Sequence, residues 1–291
     1  MTNKAQFIAG LAVGVMAAAL GALLVYFSSG NPLKFASYDL LFAMRPIIKP
    51  TEALIIYIDE DSHTALNQSF TETWDRNLHA KLLDRLTAAG AKTVVFDIHF
   101  SGAGRDPQAT TNFARAIKSH GRVVLGADVA RPMGVQGVVM KRIMPPFEAL
   151  SAAAADIGSV ELDASHDLVV RKHLRAHPDD LVAALSHAAA GLSKPLVHSA
   201  EERWINYYGP PGVIPHVNYA RALEAPPEIF KDKSVFIGAR LLTKFAAERK
   251  DEFKSPYSLW LKENTFTSGV EIQATQYLNH LRGDWLRRSD A

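Results

Sequence analysis

"TVVFDIHFSGAG" (residues 93–104) is a short apolar run that ends in Asp97, His99 and a glycine-rich turn. A β-branched run closed by turn residues reads as a buried strand. Upstream, "NLHAKLLDRLTAAG" (77–90) reads as an amphipathic helix with a glycine stop, and "ALIIYIDED" (53–61) as a second buried strand ending in acids. Strand, helix, strand in under fifty residues is a βαβ unit, so its two strands are expected to be parallel neighbours. Downstream, a helix near "TNFARAIKSHG" leads into "RVVLGADV" (122–129), which continues the alternation.

Beyond this unit the pattern loosens. "DIGSVEL" and "LVVRKHLRAH" suggest an antiparallel pair around the polar turn "DASHD". "LVAALSHAAAG" reads as a helix, "RWINYYGPPG" as a strand entering a rigid turn, and "KSVFIGAR" (233–240) as a late buried strand. "SGVEIQATQYLNHLRGDW" makes a final amphipathic helix with Val270, Ala274, Tyr277 and Leu281 on one side. Ser268 and Glu271 have the spacing of a capping box at its start. The expected fold is α/β: a mixed, largely parallel sheet flanked by helices, preceded by one N-terminal transmembrane helix.

The 291 residues are 48% hydrophobic, which suits one large core. A net charge of +2, with no long basic run carrying interleaved aromatics, speaks against nucleic acid as a partner. The absence of cysteine excludes disulfides, thiol catalysis and thiolate-bound zinc.

From Phe7 to Phe27, "FIAGLAVGVMAAALGALLVYF" runs without a charge, enough for a helix across roughly 30 Å of hydrocarbon. Tyr26 and Phe27 stand where interfacial aromatics are favoured. A cleaved signal peptide is the alternative, but its apolar region is usually about 7–15 residues and ends in small residues. The expected division is a stub over 1–6, a span over 7–27 and a body over 33–288. Lys4 before the span, against Lys34, Arg45 and Lys49 after it, leaves the orientation open. Gly10, Gly14, Ala18 and Ala22 repeat every fourth residue, a row through which two spans can approach and form a homodimer. An alanine-rich helix also produces such rows by chance.

In parallel α/β sheets, ligands bind outside the carboxyl ends of the strands. Asp59, Glu60 and Asp61 lie at one such end, with Asp97 and His99 at its expected neighbour. Carboxylates beside an imidazole can hold a divalent ion and activate water. Equally, aspartates at strand ends cap the next loop or helix. Asp97 and His99 share a face only if the strand runs on through His99. His173 and His177 share a strand face but lack a third convergent ligand for zinc. No phosphate loop, dinucleotide fingerprint or Gly-x-Ser-x-Gly elbow is present.

The order of "IIYIDEDS", "TWDRNLHAKLLDRLTAAGAKTVVFDIHFSG", "GRVVLGADV", "INYYGPPGVIPHVNYARAL", "KDKSVFIGAR", "DEFKSPYS" and "SGVEIQA" resembles the second type of CHASE domain, the extracytoplasmic sensor of bacterial cyclases and kinases. The likeness covers roughly residues 38 to 288. The family-pattern positions are Asp59, Asp61, Trp74, Arg76, Asp97, Gly209, Pro210, Asp251, Pro256 and Glu271. This chain departs from the pattern at Thr267, Ser268 and Gln273, and in a longer loop at "LLTKFAAERK".

The resemblance implies a periplasmic body on an inner-membrane anchor, one that senses rather than catalyses. It also implies a cyclase or kinase output that this chain lacks, so the chain is either a sensor fragment or a short member whose output is a separate protein. Asp59, Asp61, Trp74, Arg76, Asp97 and His99 are the candidate ligand contacts, Arg76 and Asp97 foremost. The ligand is an unknown small molecule or envelope component, and no cofactor or metal is expected. A metal-dependent phosphoesterase at the acidic strand ends, or an envelope scaffold, are the alternatives.

Overall fold

A computed structural model of the chain describes residues 10–21, 31–130, 142–174, 182–196, 201–240, 251–261 and 266–287. Two compact units are present, Met1–Pro46 and Ile47–Ala291. In the first, helix α1 is described over residues 10–21 and is exposed along its whole length. Among the described residues no helix is long and apolar enough to cross a membrane, and the rest of the span expected over 7–27 lies outside them, as does Ala22 of the small-residue row. Gly10, Gly14 and Ala18 lie on the exposed helix, with nothing within 4 Å of a Cβ at either glycine. Helix α2 (Asn31–Met44) follows, with Tyr38 and Phe42 meeting edge-on at 5.0 Å.

The second unit is built on a seven-stranded sheet. Its strands are β1 (Ala53–Ile58), β2 (Thr93–His99), β3 (Val123–Ala130), β4 (Arg142–Met144), β5 (Asp156–Ser159), β6 (His216–Asn218) and β7 (Ser234–Ala239). They run in the order β4-β3-β2-β7-β1-β6, with β5 also pairing β3. Every pairing is parallel except β3 with β4. A largely parallel, mixed sheet is what the buried apolar runs imply.

The expectation that β1 and β2 are neighbours is corrected. β7 lies between them, with Ser234 paired to both Ala53 and Thr93, and Gly238 to both Tyr57 and Asp97. A third apolar strand from late in the chain satisfies both inner edges, which the βαβ pattern by itself cannot reveal.

Alternation along the strands feeds two cores. Leu54, Ile56, Val94, Phe96, Val235 and Ile237 face α4 (Arg76–Ala88) and α5 (Pro107–His120), packing with Leu83, Phe113 and Ile117. Ile55, Tyr57, Val95 and Phe236 face α7 (Leu185–Gly191) and α9 (Gly269–Arg282), packing with Leu185, Val270, Ala274 and Tyr277. Short α3 (Glu60–Ala65) follows β1; α6 (Glu148–Ser151) precedes β5, and α8 (Tyr219–Ala222) follows β6. A hairpin of β8 (Glu252–Lys254) and β9 (Phe266–Ser268) leads into α9.

Three further expectations change. "DIGS" joins the main sheet beside β3 instead of pairing with "LVVRKHLRAH"; the turn there closes on one bridge, Ala164 to Val170. "RWINYYGPPG" forms no strand, only bridges at Trp204. Helix α9 is not one-sided: every residue from Gly269 to His280 is buried. Nor does a capping box start it. Ser268 makes no side-chain cap, and the reciprocal bond is missing because Glu271 instead accepts from Gly212 N (2.7 Å), Thr267 Oγ1 (3.1 Å) and Tyr57 OH (3.2 Å).

Candidate functional site

The carboxyl ends of β1, β7 and β2 open into a cleft of about 700 Å³. Its floor is Ile58, Ala239 and Asp97; Trp74, Arg76 and His79 form one wall, and Phe253, Gly269 and Val270 another. The first residues of α9 stand here because Gly238 has no side chain. A Cβ at that position would meet Val270 Cβ at 2.7 Å, so the glycine lets helix and sheet close together.

Arg76 is placed by the start of α4, which Asp75 caps by accepting from Asn77 N at 2.9 Å. Arg76 as a whole is 6% exposed. Its Nη1 donates to Thr110 Oγ1 (2.8 Å), and its Nη2 to the carbonyls of Ser101 (3.2 Å) and Gly102 (3.0 Å). It therefore ties the glycine-rich turn after β2 to α5. Gly104, at φ 77°, allows this: a Cβ there would stand 3.0 Å from Arg76 Nη1. Burial lowers the pKa of Arg76 from its usual value. Among the described residues it has no carboxylate partner, so Arg76 and Asp97 line one cleft without forming the ion pair.

Asp97 lies in the stretch between Phe96 and His99 where the register of β2 against β3 shifts, while its backbone stays paired with Gly238 of β7. Its Oδ2 is 3.7 Å from the position of a Cβ on Gly269. No described residue hydrogen-bonds its carboxyl. Burial, with the negative charge of Asp251 second, pushes its pKa up to about 8. The strand does run through His99, as a shared face requires. His99 also lines the cleft, and its Nε2 lies 3.4 Å from the Pro145 carbonyl.

Two of the other three expected contacts lie elsewhere. Asp59 caps α3, accepting from Ser62 N at 2.9 Å and Ser62 Oγ at 2.5 Å, and Asp61 is exposed in the first turn of that helix. Neither lines the cleft. Trp74 does, and its Nε1 is 3.3 Å from His63 Nδ1.

Sequence reasoning passed over His79. It sits three residues after Arg76 on the apolar face of α4, ringed by Phe96, Phe100, Phe113 and Tyr219. Its Nδ1 is 2.8 Å from Tyr219 OH, and burial, followed by the charge of Arg76, pushes its pKa down to about 3. A histidine among the leucines of an amphipathic helix was the available signal. Asp251 and Phe253 enter through the β8 hairpin, where Gly269 N donates to the Asp251 carbonyl at 3.1 Å. Among the described residues no three histidine, aspartate or glutamate side chains converge to hold a metal ion. His177, from the zinc reading, lies outside those residues.

The family model described as the CHASE2 domain matches residues 13–290. No curated protein and no solved structure matches the chain.

Proposed function

This chain belongs to the CHASE2 domain family, a family of extracytoplasmic sensory domains, and we propose that it is the ligand-sensing body of a membrane-anchored bacterial receptor. The cleft is its ligand site, residues 7–27 its anchor, and a cyclase or kinase its output. One observation carries the reading: the first turn of a helix that is buried all round, α9, forms a wall of the cleft. A ligand pressing on Gly269 and Val270 acts on an element that cannot move without repacking the core against β7.

Plugging the cleft tests this. The nearest atoms to the missing Cβ of Gly269 are on Phe253, Asp97 and Leu162, at 3.6–3.7 Å, so Gly269→Leu should fill the cavity. In a receptor carrying this chain, the substitution should abolish the response to stimulus while the circular dichroism of the body is kept. An undiminished response would overturn the reading. Protease added to intact spheroplasts should digest the body, and full protection would refute the topology. The phosphoesterase alternative predicts metal-dependent turnover of phosphoesters that Asp97→Asn abolishes.

A further inference from the structure

We infer that the cleft takes a small organic cation, a primary alkylammonium compound, with its ammonium on the Asp97 carboxyl and its alkyl part against Trp74, Phe100 and Phe253. The inference rests on the reading of the cleft as a sensor's ligand site and names the class of ligand.

The first observation is Asp97 itself. A carboxyl enclosed at the floor of a cavity, with no hydrogen-bond donor among the described residues, carries an unmet desolvation cost. A ligand bringing N–H donors and positive charge removes that cost; one bringing an anion adds to it. The second is the surroundings of Asp97. The negative charge of Asp251 bears on it, while Arg76 is the one guanidinium among the described residues that line the cleft. Three of the five N–H donors of Arg76 are committed to Thr110 and the 101–102 carbonyls, which fixes the guanidinium to the turn and α5 and not to Asp97.

The third observation is the wall. Trp74, Phe100 and Phe253 offer apolar surface and π-faces, which suit an organic cation. A bare divalent ion instead demands a shell of six or more oxygens. No such convergence of donors exists among the described residues.

An ammonium pairs with the ionised carboxyl, so binding releases the Asp97 proton. Among the described residues, the charged and titratable groups that line the cleft with Asp97 are Asp251 before β8, Arg76 and His79 on α4, His99 on its own strand, Asp128 on β3 and Glu161 after β5. With Asp97 titrating near 8, about a tenth of it is ionised at pH 7 and about nine-tenths at pH 9. Apparent affinity should scale with that fraction, about tenfold. An alkylammonium, like lysine with a pKa of about 10.4, stays charged over this range.

The test is calorimetric titration of the full chain in detergent with n-butylammonium and butane-1,4-diammonium, and with n-butanol and butyrate as isosteres. At least one ammonium should bind tenfold or more tightly than both isosteres, about tenfold tighter at pH 9 than at pH 7. Asp97→Asn, which keeps shape and removes charge, should abolish the preference and the pH dependence. Ammonium binding unchanged by Asp97→Asn, preference for butyrate, binding of calcium ions alone, or no binding of either ammonium to folded protein would each overturn the inference. If the ammonium ions bind as expected but Gly269→Leu leaves receptor output intact, the cation site stands and the sensory reading fails. If Gly269→Leu silences the receptor while the ammonium ions do not bind, the sensory reading stands and the cation site fails.

Discussion

Asp97 pairs through its backbone with Gly238 in the middle of the sheet, yet its carboxyl faces a cavity. Its pKa rises from 3.8 to about 8 on folding, so the folded state holds a proton that the unfolded chain releases. Stability is therefore greatest below pH 4 in this one respect, and falls as pH rises toward 8. The contribution is a few kcal/mol at most, because part of the side chain reaches the cleft. Asp97→Asn should be near neutral at pH 5 and stabilising at pH 9, measured by urea denaturation; equal effects at both would refute the shift. The buried histidines work in the opposite direction. His79, His173 and His280 are pushed down to about 3, 4 and 2, chiefly by burial. Each is neutral when folded but takes a proton on unfolding below its unfolded pKa near 6.5. Stability should thus fall as pH drops from 6.5, by about 2 kcal/mol per histidine at pH 5. His79→Phe should shallow the acid limb of a stability–pH curve, even where the lost bond to Tyr219 lowers its plateau.

Helix α9 and strand β7 are fitted to each other atom by atom. Adding a methyl at Gly238 places it 2.7 Å from Val270 Cβ, 2.9 Å from Val270 Cγ2 and 3.2 Å from Cγ1. Gly238→Ala should cost about 1–3 kcal/mol through overpacking. Val270→Gly alone creates a void, but it removes all three of these atoms, so in the double variant the new methyl fills the space. The double-mutant cycle should therefore show favourable coupling of about 1 kcal/mol or more; simple additivity would mean that helix and strand relax apart. Glu271 ties the same helix to the turn at Gly212 and to Tyr57 on β1. Glu271→Ala leaves the partly buried Gly212 N–H and the buried Tyr57 hydroxyl without that acceptor and should destabilise by about 1–3 kcal/mol.

At the scale of the molecule, the reading of α9 as a transmitter makes its far end decisive. The helix stops at Gly283, whose φ of 70° is left-handed and whose N–H donates to Asn279 O at 2.7 Å. Arg282 there holds Glu52 in two bonds of 2.9 and 2.7 Å. One to four residues inserted after Gly283 in a receptor should change output with the helical phase of the insertion. Output indifferent to every insertion would leave α9 as a cover for the core. What local chemistry fixes was legible in the chain itself. β-Branched apolar runs became parallel buried strands, helices ran with a period of 3.6, and aspartates before helices became caps, Asp59 among them. That last rule also explains why Asp59 and Asp61 do not line the cleft, since an acid at a strand end satisfies backbone amides before it meets a ligand. Asp97 and His99 were visible as strand-end residues, but their surroundings were not. Only the tertiary structure placed β7 between β1 and β2, because any apolar strand can satisfy either edge and the choice depends on how distant segments pack. The same packing enclosed α9 on every side, drew Glu271 away from its cap and brought Asp251 beside Asp97. Charges far apart in sequence thus met in one low-dielectric place, and proximity of that kind has no periodic signature to read.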